Sequence, residues 1–583
     1  MSRANINQQP SAQPADAIGN GERPVTQTWN WRQLNNQFIA VIASCGLGIA
    51  AQASPLQASS IANDGIDALK LHQAPYNLTG RKIAIGQVEI GRPGQFGIDK
   101  AVSKHRLVSL ARVFDRDQPA KGNAHLDSHA AQVASVMVST GKAVRGVAPN
   151  AQLYSAAAGT PFKGGQVEEC LSAQHIALQN GGDVRAINFS FGESLRQDAR
   201  PSAQLDGNAL LTQCIDWSAR VHDVVYTIAG NQGKGGIPIP TDNFNGMTVA
   251  FTNRIGQIYS KVDFSNIGDI TPSIFKRNAG REINLGNRRS IALTAPGSKI
   301  ALVALDGSIV NSSGTSFASP HVTGTIALLQ EYGDRQLRQS CQRGQGCKLP
   351  CTTDARRHQV MKAVLMNSAE KIRDAGDGLF LGMTRTIVEK NNQTWLDSDA
   401  AKDPQVPLNI QMGAGQLNAA RAYQQFSPGQ QLPTAAVSPI GWNYGEISQI
   451  RATAPLLAGK NFAHQDYMLD QPLQQGSFVS TTLVWDRLVE LDDRNRNGIY
   501  DQGETFSDRG LNTLYLYLMP AAASDIRESI WSSVSNVDSV QHIFHAVPAT
   551  GRYKIRVAFH RQINLPTQPY ALAWWTMPAS LKR

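Results

Sequence analysis

Between about residues 60 and 425 the chain alternates short apolar runs with longer amphipathic segments. The runs are rich in Val, Ile and Ala and show little apolar–polar alternation, which is typical of strands buried on both faces of a sheet. They predict strands at residues 82–88, 152–157, 184–190, 224–229, 247–251 and 290–295.

Helix-like segments lie between these runs. The predicted helices are residues 129–140, 166–179, 210–221, 322–332 and 355–368. Alternating β and α elements predict an α/β fold, with an open parallel sheet flanked by helices. Because ligands of such sheets bind beyond the carboxyl ends of the strands, we expect functional residues in the loops that follow them.

The pattern changes after residue 425. Residues 426–440 are rich in Pro, Gln, Ser and Thr and predict a linker after a main domain at 54–425. Further on, apolar and polar residues alternate and aromatic side chains become frequent. This predicts an antiparallel, jelly-roll-like β-sandwich over residues 441–583, with strands at 477–485, 513–519, 551–558 and 570–575.

Residues 1–53 predict a signal peptide with a long leading region. The apolar run from Phe38 to Ala51 is shorter than the ~20 residues that a membrane span needs, and a small-x-small site ends at Ala53. A buried helix or an interfacial segment is the alternative, and Cys45 leaves a lipid-anchored variant open. We therefore expect a secreted or periplasmic protein without a stable membrane span.

Composition changes this picture little. The 583 residues are 42% hydrophobic and 17% charged, with a net charge of +10. The charge is spread without a Lys/Arg-rich run, which argues against nucleic-acid binding. We expect a monomer.

The cysteines predict a stapled surface loop. Cys341, Cys347 and Cys351 crowd into one short stretch, which in an exported protein favours disulfide bonding. Five cysteines follow the predicted cleavage site, so either one thiol stays unpaired or the signal-peptide prediction is wrong, and the connectivity stays open.

Candidate chemistry centres on the stretch Gly314–Pro320, which reads G-T-S-F-A-S-P. A Gly, hydroxyl residues and a following apolar run predict a loop that enters a helix near Ser316. Free N–H groups at a helix N-terminus favour negative charge, so Ser316 could attack a carbonyl while its own N–H binds the oxyanion. A serine that only caps the helix is the alternative.

The string G-T-S-x-A-x-P resembles the nucleophile motif of the subtilase (subtilisin-like serine peptidase) family. Residues 127–135, D-S-H-A-A-Q-V-A-S, are similar to the family's H-G-T-H-V-A-G motif with its first His aligned on His129. The match is partial, because Ala130, Gln132 and Ser135 stand where the motif has Gly, His and Gly. The resemblance implies a subtilisin-like fold, with Ser316 as nucleophile and His129 as base; His125 is the rival base.

The family's third triad residue is an aspartate after the first strand, in D-T-G. Here Glu89-Ile90-Gly91 occupies that place. The resemblance therefore implies that Glu89 orients His129, with the same charge on one extra methylene. Asp99 is an alternative, and so is a site without a working third residue.

Two further stretches carry the resemblance. Asn231 ends an A-G-N string like the family's oxyanion donor. Ser190, Phe191 and Gly192 resemble the edge that pairs with an extended peptide, so these three are the predicted substrate-binding residues.

Residues 493–504 fit the calcium-loop pattern D-x-[DN]-x-[DN]-G-x5-E, with Gly498 at the sharp turn. We expect it to lie between strands of the sandwich and to bind a structural Ca²⁺; a polar hairpin without metal is the alternative. The predicted ligands are Asp493, Asn495, Asn497, Ile499 through its carbonyl, Asp501 and Glu504.

Together these features predict an exported serine endopeptidase that acts on protein or peptide substrates through an acyl-enzyme. The alternative is a catalytically weak or inactive binding protein on the same scaffold, motivated by the Asp-to-Glu change and the altered histidine motif. Residues 54–75 are too few for the folding pro-domain common in this family, so the route to activation stays open.

Overall fold

In the computed structural model, the six apolar runs predicted as strands all lie in one ten-stranded sheet. The structure describes residues 58–102, 106–159, 165–230, 238–262, 284, 286, 288–342, 353–449 and 463–579. The strands before the predicted linker are β1 (Ala84–Glu89), β2 (Leu110–Asp115), β3 (Gln118–Pro119), β4 (Gln152–Ala157), β5 (Val184–Phe189), β6 (Val225–Ala229), β7 (Met247–Ile255), β8 (Ile258–Lys261), β9 (Ile291–Pro296), β10 (Ile300–Val303), β11 (Ile309–Ser312) and β12 (Thr386–Val388).

The sheet order is β12-β8-β7-β6-β5-β1-β4-β2-β3, and β9 also pairs with β7. The neighbours β7, β6, β5, β1, β4 and β2 run parallel. Every residue of β1, β5 and β6 is buried, which explains their unbroken apolar sequences. The predicted parallel α/β sheet is confirmed.

The sequence pattern missed the strands at the margins of the sheet. Only two residues of β2 are buried, and β3 and β12 are two and three residues long. The hairpin of β10 and β11 forms a separate two-stranded sheet. Such short or half-exposed strands carry too few buried residues to stand out as apolar runs.

The helices flank this sheet. The one containing Ser316 begins seven residues before the predicted start and ends ten residues beyond the predicted end, because its polar C-terminal half hides the pattern. The helices are α1 (Ala58–Ile61), α2 (Ala68–His72), α3 (Ser128–Val138), α4 (Gln166–Ala177), α5 (Gln179–Gly182), α6 (Leu210–His222), α7 (Thr315–Gln342), α8 (His358–Asn367) and α9 (Ala419–Phe426).

Two four-stranded antiparallel sheets form the predicted C-terminal sandwich, in the orders β13-β22-β15-β20 and β14-β21-β18-β19. Large side chains such as Trp485, Tyr570 and Trp574 fill the core between them. The strands are β13 (Ile440–Ser448), β14 (His464–Met468), β15 (Phe478–Trp485), β16 (Val489–Leu491), β17 (Phe506–Asp508), β18 (Thr513–Pro520), β19 (Trp531–Ser533), β20 (Val540–Ala546), β21 (Tyr553–Arg561) and β22 (Thr567–Trp575).

Helix α8 joins the sandwich to the α/β part of the chain. All of its 10 residues are buried, because it packs against β6 on one side and against β15 and β22 on the other. One continuous core therefore contains Val364 of α8, Leu293 of β9 and Ala571 of β22. Residues 54–583 accordingly form one compact unit.

The hairpin of β16 and β17 leaves the sandwich and packs on α4 and α6. Its residues Val489, Tyr500 and Phe506 share an apolar cluster with Trp217. A disulfide between Cys170 and Cys214 joins the two helices under this cluster, with an S–S distance of 2.01 Å. The sequence did not predict that pairing. The Cys341 side chain and all of Cys347 and Cys351 lie outside the described residues.

Candidate active site

Glu89 is the last residue of β1, a strand near the middle of the parallel sheet. Its side chain is only 1% exposed. At this position the carboxylate points beyond the carboxyl edge of the sheet, where parallel α/β folds place their functional residues. Two other segments of the chain reach this edge, and they carry His129 and Ser316.

His129 is the second residue of α3, and Asp127 caps this helix by accepting a hydrogen bond from the His129 N–H at 2.8 Å. The His129 Nδ1 atom lies 3.3 Å from the Glu89 Oε2 atom, while 38% of the histidine side chain remains exposed. The carboxylate thus holds one ring nitrogen and leaves the other side of the ring open. Sequence reasoning gave Asp127 no role, although an aspartate directly before a helix is a recognisable cap signal.

The two side chains shift each other's protonation. Burial raises the pKa of Glu89 above its ordinary value, and the His129 charge opposes that rise. Burial by itself would lower the pKa of His129, but the Glu89 charge and hydrogen bond, with a smaller contribution from Asp127, outweigh it and raise that pKa. The nearby Ser190 backbone N–H also opposes the rise in the pKa of Glu89. The imidazolium form of His129 is therefore favoured by its partner.

Both rival candidates from the sequence lie elsewhere. Asp99 forms a fully buried ion pair with Arg92, whose Nη1 atom is 2.8 Å from Oδ2. His125 places its Nδ1 atom 3.4 Å from the Asp115 Oδ1 atom, and 48% of its side chain is exposed. Neither residue pairs with the other candidates of the site, so Glu89 and His129 form the pair that the residue order predicted.

Ser316 is the second residue of α7, as the loop-to-helix pattern predicted. Its Oγ atom donates a hydrogen bond to the Ser190 carbonyl at 3.1 Å, and the Ser190 Oγ atom donates to the Ser316 carbonyl at 2.8 Å. Pro320 explains the second bond, because it has no N–H to bond the carbonyl four residues earlier. The reciprocal pair fixes the start of α7 against the end of β5.

Phe317 links Ser316 to the histidine. The Phe317 and His129 rings lie 5.7 Å apart, centroid to centroid. Phe317 itself is buried, at 3% exposure. The residue next to Ser316 therefore packs directly on the ring that Glu89 holds.

The predicted substrate-binding residues extend beyond β5. Ser190 and Phe191 are buried, at 3% and 6% exposure, while Gly192 is half-buried. The Phe191 ring stacks on Phe189 with a centroid distance of 5.2 Å. A peptide at this edge would therefore meet main-chain atoms of Phe191 and not its ring. Asn231 lies outside the described residues.

The loop at residues 493–504 brings several oxygen donors together. Asp493 accepts hydrogen bonds from the backbone N–H groups of Asn497 and Gly498, at 3.2 and 2.7 Å. The side-chain amides of Asn495 and Asn497 both donate to Asp501 Oδ2, at 2.6 and 2.7 Å. Glu504 closes the loop by accepting from the backbone N–H groups of Arg494 and Asp501.

Gly498 adopts φ +78°, the left-handed conformation that the sharp turn requires. Among the described residues, no group of three His, Cys, Asp or Glu side chains surrounds one point as a metal site would. The loop contains the oxygen ligands of the pattern, held here by hydrogen bonds among themselves.

The match to a known protein family covers more than half of the chain. The sequence model described as the Subtilase family matches residues 60–397. Subtilisin DY of Bacillus licheniformis is 27% identical over 256 residues, which are 43% of this chain and 77% of that protein. An alkaline protease of Alkalihalobacillus alcalophilus is 29% identical over 238 residues, 40% of this chain, and the match spans only about half of its own length, 53%.

Among solved structures, a cold adapted subtilisin-like serine proteinase matches with a TM-score of 0.35 and 18% identity. The alignment covers 53% of this chain and 89% of that one. No helix in the part of the chain that the structure describes is long and apolar enough to cross a membrane.

Proposed function

We propose, since this chain belongs to the subtilase family and is a serine-type endopeptidase, that it cleaves peptide bonds through a triad of Ser316, His129 and Glu89. The observation that carries this proposal is the contact between His129 Nδ1 and the buried Glu89 carboxylate at 3.3 Å. A glutamate here supplies the charge and acceptor oxygens that the family's aspartate supplies.

In the acylation step, the Ser316 Oγ atom attacks the carbonyl carbon of the scissile bond while His129 Nε2 takes its proton. Glu89 keeps the proton of the neutral ring on Nδ1 and stabilises the imidazolium that forms. The imidazolium then gives its proton to the leaving amine as the C–N bond breaks. Water, deprotonated by the same nitrogen, hydrolyses the acyl-enzyme and restores Ser316.

The oxyanion formed in each step needs donors that are already in place. The Ser316 N–H at the start of α7 is one donor in this proposal, and Asn231 is the second. The resting hydrogen bond from Ser316 Oγ to the Ser190 carbonyl must break before attack. The side chain then rotates toward His129.

The substrates of this proposal are proteins or peptides in extended conformation. Ser190, Phe191 and Gly192 continue a parallel strand past the sheet edge, and a peptide would pair there with their main-chain groups. Specificity then depends on the pockets beside that edge.

A serine-reactive fluorophosphonate tests the nucleophile. We expect labelling of the wild type, loss of labelling in Ser316→Ala, and retained labelling in Ser319→Ala, a buried serine one turn further along α7. A wild type that does not label, while it is folded by circular dichroism, would contradict the proposal and favour a binding protein.

For the loop at 493–504 we infer a structural Ca²⁺ site. Three carboxylates and two amide oxygens, together with the Ile499 carbonyl, match the preference of a hard cation for oxygen. The ion would stabilise the hairpin that packs on α4 and α6 and would take no part in the reaction. Its ligands would be Asp493, Asn495, Asn497, Ile499, Asp501 and Glu504.

Terbium luminescence, with Tyr500 of the loop as sensitiser, measures this site directly. We expect saturable emission that Ca²⁺ displaces, and its loss in Asp493→Ala. An Asp374→Ala variant, in a different exposed loop whose carboxylate caps four backbone N–H groups, should keep the emission. If Asp493→Ala kept the same emission as Asp374→Ala, the loop at 493–504 would be excluded as the terbium site.

Export of the chain is the remaining part of the proposal. The Cys170–Cys214 disulfide supports it, because structural disulfides form and persist in oxidising compartments. Cell fractionation with N-terminal sequencing of the exported protein would test cleavage after Ala53. An N-terminus still at Met1 would contradict the signal-peptide prediction.

A further inference from the structure

Arg92 lies three residues after Glu89, and none of its side chain is exposed. The guanidinium binds Asp99 with two parallel hydrogen bonds of 2.8 and 3.0 Å. It also donates to the Lys121 carbonyl at 2.8 Å and lies 3.6 Å from Asp115. One side chain thus ties three separate segments of chain together beside the candidate site.

The main chain of Arg92 makes a second set of bonds toward His129. Its N–H donates to the His125 carbonyl at 2.8 Å, and its carbonyl accepts from the Asp127 N–H at 2.9 Å. Asp127 in turn caps α3 at the His129 N–H. The chain leaving Glu89 is therefore bonded, through two links, to the start of the helix that carries His129.

The approach between these two segments is close. A Cβ atom on Gly91 would lie 2.5 Å from the Asp127 Cβ atom. No side chain fits there, so the end of β1 and the start of α3 can approach this closely only with a glycine at position 91. Arg92, Asp99, Asp115 and the Lys121 carbonyl together form a network that we call the Arg92 clamp.

Such a cluster is a costly way to stabilise a fold. Burying an ion pair removes both charges from water, and the pair returns little net stability even with good geometry. Asp99 is nevertheless fully satisfied, because it also accepts from the Gln95 and Asn123 N–H groups at 2.7 Å each. Burial alone would raise the pKa of Asp99, but these bonds and Arg92 lower it, so the carboxyl stays charged.

We propose that Arg92 and Asp99 are positioning residues of the triad, which hold the end of β1 at the separation from α3 that a glutamate, one methylene longer than an aspartate, requires. This inference rests on the proposed function, since it concerns the distance between Glu89 and His129. The two rival candidates from the sequence pair with residues of the Arg92 clamp and not with Glu89 or His129. Asp99 pairs with Arg92, and His125 pairs with Asp115. A shift of about 1 Å in such a contact can cost about 100-fold in rate.

The first test replaces Arg92 with Met, which keeps the length and removes the charge. We expect kcat on a chromogenic peptide to fall about 100-fold with KM almost unchanged. The acid limb of the pH profile of kcat/KM should move to lower pH, because a more distant Glu89 raises the His129 pKa less. Arg92→Lys keeps the charge but loses the paired hydrogen bonds to Asp99. Its kcat should therefore lie between those of the wild type and Arg92→Met.

A double-mutant cycle with Glu89→Asp separates positioning from plain stabilisation. If the clamp sets the reach of Glu89, Glu89→Asp slows the wild type but adds little to Arg92→Met, so the two effects do not multiply. Effects that multiply would overturn the inference. A wild-type kcat and pH profile in Arg92→Met would also overturn the inference. If Arg92→Met does not fold, the same result in Arg92→Lys would overturn it.

Arg487→Met is the matched control. Arg487 is also buried, at 2% side-chain exposure, and is paired with Asp216 at 3.2 Å, between the sandwich and α6. It should lower the denaturation midpoint while kcat and the acid limb stay as in the wild type. Retained turnover in Ser316→Ala would refute the proposed function itself, whereas lost turnover there with unaffected Arg92 variants would refute only the positioning role.

Discussion

His129 and His358 both lie against carboxylates, and they differ in what surrounds their second ring nitrogen. His129 has Glu89 on Nδ1 and keeps 38% of its side chain exposed. His358, the first residue of α8, has Asp223 on Nδ1 at 2.9 Å and Asp486 on Nε2 at 3.1 Å, with 2% exposed. Among the described residues, the second ring nitrogen of His129 has no carboxylate beside it, whereas both ring nitrogens of His358 do.

The difference separates the histidine that we propose as the base from one that remains charged inside the protein. Burial by itself would lower the pKa of His358, but Asp486 and Asp223 raise it to about 9. Asp486 follows β15 of the sandwich and Asp223 caps α6, so the charged ring bridges the two halves of the molecule. In the proposed triad, the single carboxylate of Glu89 would orient the His129 ring and leave its second nitrogen available as a base.

The largest expected difference is in activity, between His129→Ala and His358→Ala. His129→Ala should lower kcat by about 10⁶-fold, the size known for loss of the histidine in subtilisin, because the proposed mechanism then lacks its base. His358→Ala should leave kcat within about twofold, since it touches no reacting group. Steady-state kinetics on folded protein measures both, and a large loss in His358→Ala would end the distinction.

Glu89→Gln probes the single carboxylate of His129. The amide keeps the shape but loses the charge and can reverse the ring's tautomer, as in the serine protease triad, where a similar change costs about 10⁴-fold in kcat. The acid limb of kcat/KM should also move down, because Glu89 is what raises the His129 pKa. Unchanged turnover would remove Glu89 from the triad.

His358→Ala should reveal its role in stability. Removing one partner of a buried ion pair costs about 3–5 kcal/mol, because the remaining charges lose their counter-ion. Asp223 and Asp486 would then face each other across the space left by the ring. Urea unfolding measures the loss, with His125→Ala, which removes an exposed histidine from a surface ion pair, as the control that should unfold close to the wild type.

The smallest expected effect is the pH dependence of stability. The folded pKa of His358 is about 9, above the usual value of 6.5. Its contribution is therefore fully present below about pH 6.5 and is lost as the pH rises through about 9. Thermal unfolding between pH 6 and 10 should show this fall in the wild type and not in His358→Ala; equal slopes would contradict the bridging role.

Much of the α/β layer was readable from the sequence because its strands are buried on both faces. β1, β5 and β6 appear as unbroken apolar runs, whereas β2 and β12 have too few buried residues to stand out. The sandwich was readable from apolar–polar alternation. The packing of α8 between both was not, since an all-buried helix has the same composition as any core segment.

The candidate site was readable as motifs, but its supports were not. The order of Glu89, His129 and Ser316 follows from local strings, and the structure brings Glu89 and His129 together. The mutual bond of Ser190 and Ser316 joins positions 126 residues apart, and that of His358 and Asp486 spans 128. Local patterns carry no signal for such pairs, nor for the Cys170–Cys214 disulfide, whose partners are 44 residues apart.

The burial of α8 on both sides has a consequence for how a protease of this kind survives its own activity. Residues 434–436, between α9 and β13, are exposed and offer a place for self-cleavage. A cut there would break the covalent chain but not the shared core, in which Val364, Trp442 and Ala571 pack together. We expect a nicked, two-chain enzyme that runs as two bands on a denaturing gel, elutes as one species in native buffer and keeps its activity.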